Sequence, residues 1–572
     1  MLGVPRVGGA PATAPTPAPS LATFRERRDW VLREAVRLTR TATRDAFFLA
    51  SACYAAGEVE LGQRVAKKAY ADMPNWRVRQ VAMFDVWPAL DLALRHPSHL
   101  DEESEAALKA LVTSTAYYSQ ARTSNLVTLA RVIRHLGGQK WGEAAFDPRA
   151  AYRKNDPDAS AALIDSCAKV ARTGIGEYGS RPYMLYNLMP LRTLTEFSTN
   201  PEVKRRAGIA FEVALASMAA TWLGGIWGTP SGRSYPDLLT EAPSGSARLL
   251  WTYFGGPYPA SVTAATLAPA VMAYEPHPIL TSAATDRSKP FTARSRFWHP
   301  RQISFVTDRY VVLSEMQPPG PGKDVFQTYP HGVMWRRDDP SKHNFLWLGA
   351  PLFDGGDPKF NISPSIPHGI LGTAQSVVQH QDTILFVCET EKTKSRYRYL
   401  LCFVPAGHVA TLDTASQDGR LLLHYGSIVV AISSSLPFRW DPSAPCKAQD
   451  RPYPGDSEFR VEGDRFAVAM EVVDARELPA GSPYSQLQAV AKRVGPVTYG
   501  AAAAEGCYRT RNGAVIARAF AGRATVRGEA VDFDAWPMLD NPWMSQPNGG
   551  DLTMTLGDRR RHYDLTRFEV TE

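Results

Sequence analysis

A chain of 572 residues is too long for one ordinary hydrophobic core, so two or three domains are expected. Its 44% hydrophobic and 21% charged residues are ordinary for a globular protein in water, and without an apolar run of about eighteen residues no segment spans a membrane. The formal net charge of +7 favours an anionic partner, yet no Lys/Arg block is dense enough for a nucleic-acid arm; Arg559-Arg560-Arg561-His562, after Gly557-Asp558, reads as a solvated hairpin turn.

Residues 1–20 are a Pro/Ala/Thr-rich tail, expected to be extended or disordered. No apolar core flanked by positive charge marks a signal peptide there, which leaves the compartment open. Helical periodicity then runs from residue 21 to 290. Arg25–Thr41, Arg44–Ala56 and Leu61–Ala71 read as helices. Ser98-His99-Leu100-Asp101 reads as a capping box for the next, with Leu108, Leu111, Val112 and Ala116 on its apolar face. Asn125–Leu136 is expected to stop at Gly137-Gly138, and Asp158–Arg172 before Gly174. Tyr186–Phe197 follows. Asn200-Pro201 then supplies a cap and a first-turn proline for a helix through Trp222. A row of roughly eight to twelve helices, with short turns alternating with long aromatic-rich connections, suggests an (α/α) toroid whose long connections gather at one end. The switch of domain is expected in the proline-rich loop Tyr274–Ser295.

Residues 291–572 alternate at the strand period. Gln302–Met316 reads as two strands around Thr307-Asp308-Arg309. Val333 with Trp335, Phe345–Leu348, Ile384–Cys388, Tyr399–Val404, Ser427–Ser433 and Phe459–Val473 continue the series, the last with a two-residue turn at Gly463-Asp464. Arg511-Asn512-Gly513-Ala514 is the strongest hairpin signal. The fold class is therefore α+β, multidomain, with the helical toroid followed by an antiparallel β-sandwich. The six cysteines show no metal spacing and read as isolated thiols, with a disulfide within the Cys388/Cys402 pair left open.

Three stretches carry a family likeness. Tyr117-Tyr118 with Thr123-Ser124-Asn125-Leu126 resembles the "T-E-N-H…LAG" segment of toroid proteins. Gly176-Glu177-Tyr178-Gly179-Ser180-Arg181-Pro182-Tyr183 is similar to their "GE-x-x-S-x-x-Y" stretch, and Gly225-Ile226-Trp227-Gly228 through Gly232-Arg233-Ser234-Tyr235 to their "G-x-x-G-x-x-x-GR-x-Y" turn. With the helix-then-sandwich order, this resembles polysaccharide lyases of the heparinase II/III and alginate lyase kind. The likeness covers the helical half well and the sandwich by architecture alone. Leu126 stands where those relatives carry His, so no role of that histidine transfers.

The resemblance implies β-elimination on a uronate-containing polysaccharide. Such a reaction needs a neutraliser for the carboxylate, a base for the adjacent C–H and an acid for the leaving oxygen. Asn125 and Arg181 are the candidates for the first role, Tyr183 and His331 for the proton transfers. Glu177, Tyr178, Trp227, Arg233 and Tyr235 are the candidate substrate-binding residues. The alternatives are a helix cap for Asn125, a helix-start residue packed on Phe197 for Tyr183, and an ion pair with Asp237 for Arg233. A glycoside hydrolase would instead use Glu177 with Asp237 or Glu241. A glycan-binding protein would use aromatic loops such as Trp227 and Trp251-Thr252-Tyr253-Phe254 without chemistry. The elimination requires no cofactor; His343-Asn344 beside Asp338 and Asp339 reads as a solvated turn or a structural metal site. No phosphate loop, HExxH or GxSxG motif occurs.

Overall fold

The computed structural model describes residues 21–39, 45–73, 83–114, 123–147, 158–176, 179–231, 245–257, 261–297, 300–316, 331–337, 344–350, 374–392, 398–443 and 455–572. Among them, the helical half holds α1 (Phe24–Thr39), α2 (Ala46–Ala55), α3 (Val59–Asp72), α4 (Met83–Arg95), α5 (Glu102–Val112), α6 (Ser124–Trp141), α7 (Ala159–Thr173), α8 (Met184–Phe197), α9 (Pro201–Ala219), α10 (Gly245–Phe254), α11 (Ala264–Val271) and α12 (Pro278–Thr285). The chain changes from helix to strand between Thr285 and Phe291.

Local chemistry sets most of these bounds. Asp158 caps α7 by accepting from the Ser160 and Ala161 amides, and Asn200 caps α9 with Pro201 in its first turn. Buried arginines close other ends: Arg27 donates to the Thr252 and Tyr253 carbonyls at the C-terminus of α10. Three expectations are corrected. The cap of α5 is Asp101, whose carboxylate takes the Ser104 amide, while Pro97–His99 is a separate 3-10 turn. Helix α6 runs through Gly137 and Gly138 and ends at Gly142, because both glycines pack: a Cβ on Gly137 would lie 2.7 Å from Val112 Cγ1, and one on Gly138 would collide with the Glu143 carboxylate. The stretch Tyr274–Ser295 contains α12, capped by His277 with Pro278 at its first position.

Five helices share one direction. Phe48 meets Trp87 and Ser51 meets His96, so α2 and α4 run parallel. Phe84 stacks on Tyr183 at one end, and Arg95 pairs with Glu196 at 2.6 Å at the other, which aligns α4 with α8. His135 and Gln139 near the end of α6 bond Ser198 and Phe197 just past α8. The Ser246 amide donates to the Arg181 carbonyl at the start of α10. Helix α3 packs on α2 and α5, α7 on α6 and α9, and α9 also on α8.

The other half is layered antiparallel sheet. A twelve-stranded sheet contains β1 (Phe291–Arg296), β2 (Arg301–Val306), β3 (Tyr310–Met316), β4 (His331–Trp335) and β5 (Phe345–Gly349) as neighbours. A six-stranded sheet contains β6 (Gln375–His380) and β7 (Thr383–Glu389), whereas β8 (Tyr399–Val404) returns to the first sheet beside β5. A five-stranded sheet spanning 498–530, with the helix Pro483–Ala491, covers the far face of the second. Strand parity divides the cores. Val311, Leu313, Met334, Phe345, Trp347, Leu401 and Phe403 join the helical core, while Val312, Val333, Trp335, Leu346, Leu348 and Cys402 face the second sheet.

Two further sequence expectations change here. Gly463-Asp464 is no hairpin: Ser457–Glu462 pairs with β8 and Arg465–Asp474 with β7, so the chain crosses between sheets at that turn. The basic run is not a turn either, since Arg559–Asp564 is a strand paired with Leu552–Leu556. Cys388 and Cys402 are both free, buried thiols. Among the described residues no helix is long and apolar enough to cross a membrane.

Candidate active site

The shared direction of α2, α4, α6, α8 and α10 gathers their N-termini at one end, against the twelve-stranded sheet. Each N-terminus presents the positive end of a helix dipole, and together they favour a negatively charged ligand. Two turns meet there. Gly179 takes φ +72°, and a Cβ on it would lie 3.1 Å from the Pro230 carbonyl oxygen. The Arg181 amide donates to Ser231 Oγ at 3.2 Å. Thr229 and Pro230 are tied to Gln302 of β2 by bonds of 2.9 and 2.7 Å, and Ser304 Oγ donates to the Gly228 carbonyl at 2.9 Å. A side chain on Gly228 would strike Val311, so this glycine lets the second turn lie flat on β3.

Tyr183 is the residue just before α8, half-buried, with its ring stacked 6.1 Å from that of Phe84 at the start of α4. It does not pack on Phe197, which lies a helix length away. Asn125 is buried in the first turn of α6; the cap position is Thr123, whose hydroxyl donates to Asn125 Oδ1. Two candidate positions thus stand at the same end of parallel helices.

Three candidates are not presented to a ligand. His331 shares the face of Val333 and Trp335, edge-on to Phe386 of the second sheet at 5.6 Å, so it points into the sandwich and away from the helices. Its Nδ1 accepts from the Glu315 amide at 3.1 Å, and burial pushes it down to about 3, leaving the ring neutral. Arg181 is 1% exposed, its guanidinium against Met334 Sδ at 3.3 Å and over the Phe345 ring at 5.2 Å. Burial lowers it to about 9, still protonated at neutral pH, and its contacts with Met334 and Phe345 join the helical half to β4 and β5. Trp227 is 2% exposed and bridged to Trp222, so its ring is core and no sugar can stack on it. Glu177, Tyr178, Arg233, Tyr235, Asp237 and Glu241 lie outside the described residues, as do Asp338, Asp339 and His343. Asn344 donates to the Trp335 carbonyl at 2.8 Å.

No family model matches the chain, and no curated protein matches it. Among solved structures it is similar to the heparan sulfate lyase HepC from Pedobacter heparinus, at 9% identity and a TM-score of 0.25, over 89% of this chain and 94% of that one. The likeness is distant.

Two parts of the mouth escaped the sequence reading. Phe84 supports Tyr183 from a helix whose interior Pro88 masks its pattern. Ser180 Oγ is fully buried and has no hydrogen-bond partner among the described residues, which leaves a donor beside Tyr183. The Phe84–Tyr183 pairing has no signal in a single sequence, since it joins distant segments.

Proposed function

We propose that the protein is a polysaccharide lyase that cleaves an acidic, uronate-containing chain by β-elimination at the N-terminal mouth of its parallel helices. The observation that carries this reading is the placement of half-buried Tyr183 at that mouth, where helix dipoles favour an anion. Asn125, 1% exposed with its Oδ1 engaged by Thr123, lies beneath the surface, so neutralisation of the substrate carboxylate falls to the helix N-termini. With the carboxylate stabilised, the neighbouring C–H becomes acidic enough for transfer. With His331 turned into the sandwich, one group serves both proton steps. The Tyr183 phenolate takes the proton, the C–O bond to the next sugar breaks as the ring double bond forms, and the phenol returns the proton to the leaving oxygen.

The test is incubation with a panel of uronate polysaccharides, followed in the ultraviolet. Elimination generates an absorbing unsaturated end with each cut. Tyr183→Phe is expected to lower that rate by about 100-fold or more with little effect on binding. New reducing ends without absorbance would replace this reading with hydrolysis through Glu177, and retained turnover in Tyr183→Phe would remove Tyr183 from the mechanism.

A further inference from the structure

We propose that the protein has a second binding site, for a small carboxylated ligand of monosaccharide size, at the end of the helical half opposite Tyr183. A cavity of about 610 Å³ opens there between the end of α8, the first half of α9 and the strand Glu569–Thr571. Its volume lies in the range of small-molecule pockets.

The walls combine ion pairs with one cation unpaired among the described residues. Glu212 accepts from the Tyr563 hydroxyl at 2.7 Å and shares Arg561, at 3.1 Å, with Glu572. Glu202, in the first turn of α9, is shared by Arg205 and Arg206, so the three together keep a positive charge. Arg192 closes a balanced ladder with Glu196, Arg95 and Asp91. Lys204 has no carboxylate partner among the described residues; its ammonium meets only the Glu196 carbonyl oxygen, at 3.5 Å. Glu569 stands exposed on the rim, with no ion pair among the described residues.

Two backbone features shape the cavity. Gly208 lies inside α9, where glycine is unfavourable relative to alanine, yet a Cβ there would meet only Thr195 Cγ2, at an ordinary 3.5 Å. Its missing side chain widens the cavity. Phe568 takes φ +56°, rare for a bulky residue, with its ring between the Arg172 and Arg206 guanidiniums at 5.6 and 4.3 Å. That conformation sets Glu569–Thr571 as the outer wall. Within the wall, the Tyr274 hydroxyl and Arg192 Nε are buried without a hydrogen-bond partner among the described residues, the condition a polar ligand relieves after a small shift. Lys204 would hold the carboxylate, and Ile209 and Val570 would face the sugar ring.

The experiment is calorimetric titration of the full chain with sodium glucuronate, and with glucose as the neutral control. Glucuronate is expected to bind, and glucose more weakly by about tenfold or more; Lys204→Glu should weaken glucuronate by a similar factor. Gly208→Val, with its fold checked by circular dichroism, should abolish binding by filling the cavity. Both substitutions lie at the far end of the helices from Tyr183, so their effect separates this site from the proposed mouth. No binding by the wild type, or wild-type affinity in Lys204→Glu or in Gly208→Val, would overturn the proposal.

Discussion

His331 and Met334 lie three positions apart on β4 and therefore face opposite sides of the sheet, one into the sandwich and the other onto Arg181. Residue type alone suggested a proton-transfer histidine; parity decides otherwise. The same distinction separates Tyr183, half-buried at a helix start, from Trp227, which the sequence offered equally as a sugar platform. Sequence reading located the two turns but not the direction of each side chain, because direction follows from strand register and neighbouring layers. The buried neutral ring of His331 has a measurable consequence. The unfolded chain protonates it near its ordinary 6.5, whereas the folded chain resists until about 3, so the unfolded state binds the extra proton. Stability contributed by this group is present above 6.5 and is lost as pH falls across that window, by at most about 1.4 kcal/mol per unit. His331→Gln should be less stable at neutral pH yet show a shallower acid loss in denaturant titrations. An unchanged acid slope would contradict the neutral, buried assignment.

At the level of elements, capped helices were legible and packed glycines were not. Asp158 and Asn200 announce α7 and α9 because a cap is a local interaction between neighbours in sequence. Helices α4 and α11, absent from the sequence expectations, carry interior prolines, Pro88 and Pro269, whereas α8 was legible despite Pro190. Gly137 reads as a stop for α6, but its role is to let Val112 and Phe146 approach, a fact held by residues of other segments. The expected result for Gly137→Ala is thus a loss of about 1 to 3 kcal/mol in chemical denaturation, although alanine is the better helix former by about 1 kcal/mol. A stabilised variant would show that the contact is loose. In the β half, period-two runs were visible, but which sheet each strand joins was not: Glu462 and Arg465 are nearly adjacent in sequence and belong to different sheets.

Across the whole molecule, one hydrophobic core runs from α1 through the helical rings to the outer face of the twelve-stranded sheet. Helix-then-sandwich order was legible from the change of period, whereas this continuity was not. The two halves are expected to unfold in a single calorimetric transition, and residues 21–290 produced alone should lack the near-ultraviolet circular dichroism of packed aromatics. Two well-separated transitions would show that the helical half stands without its sheet.

The strand order also constrains how the chain is made. Strand β1 pairs with Leu539–Asn541, and Arg294 meets Asp540, 246 positions later in the chain. At about 5 to 20 residues per second, a ribosome needs on the order of 10 to 50 s between delivering one partner and the other. Throughout that interval the newly made helices expose the apolar surface that the sheet will cover. Production of this protein should therefore depend on holdase chaperones acting during translation.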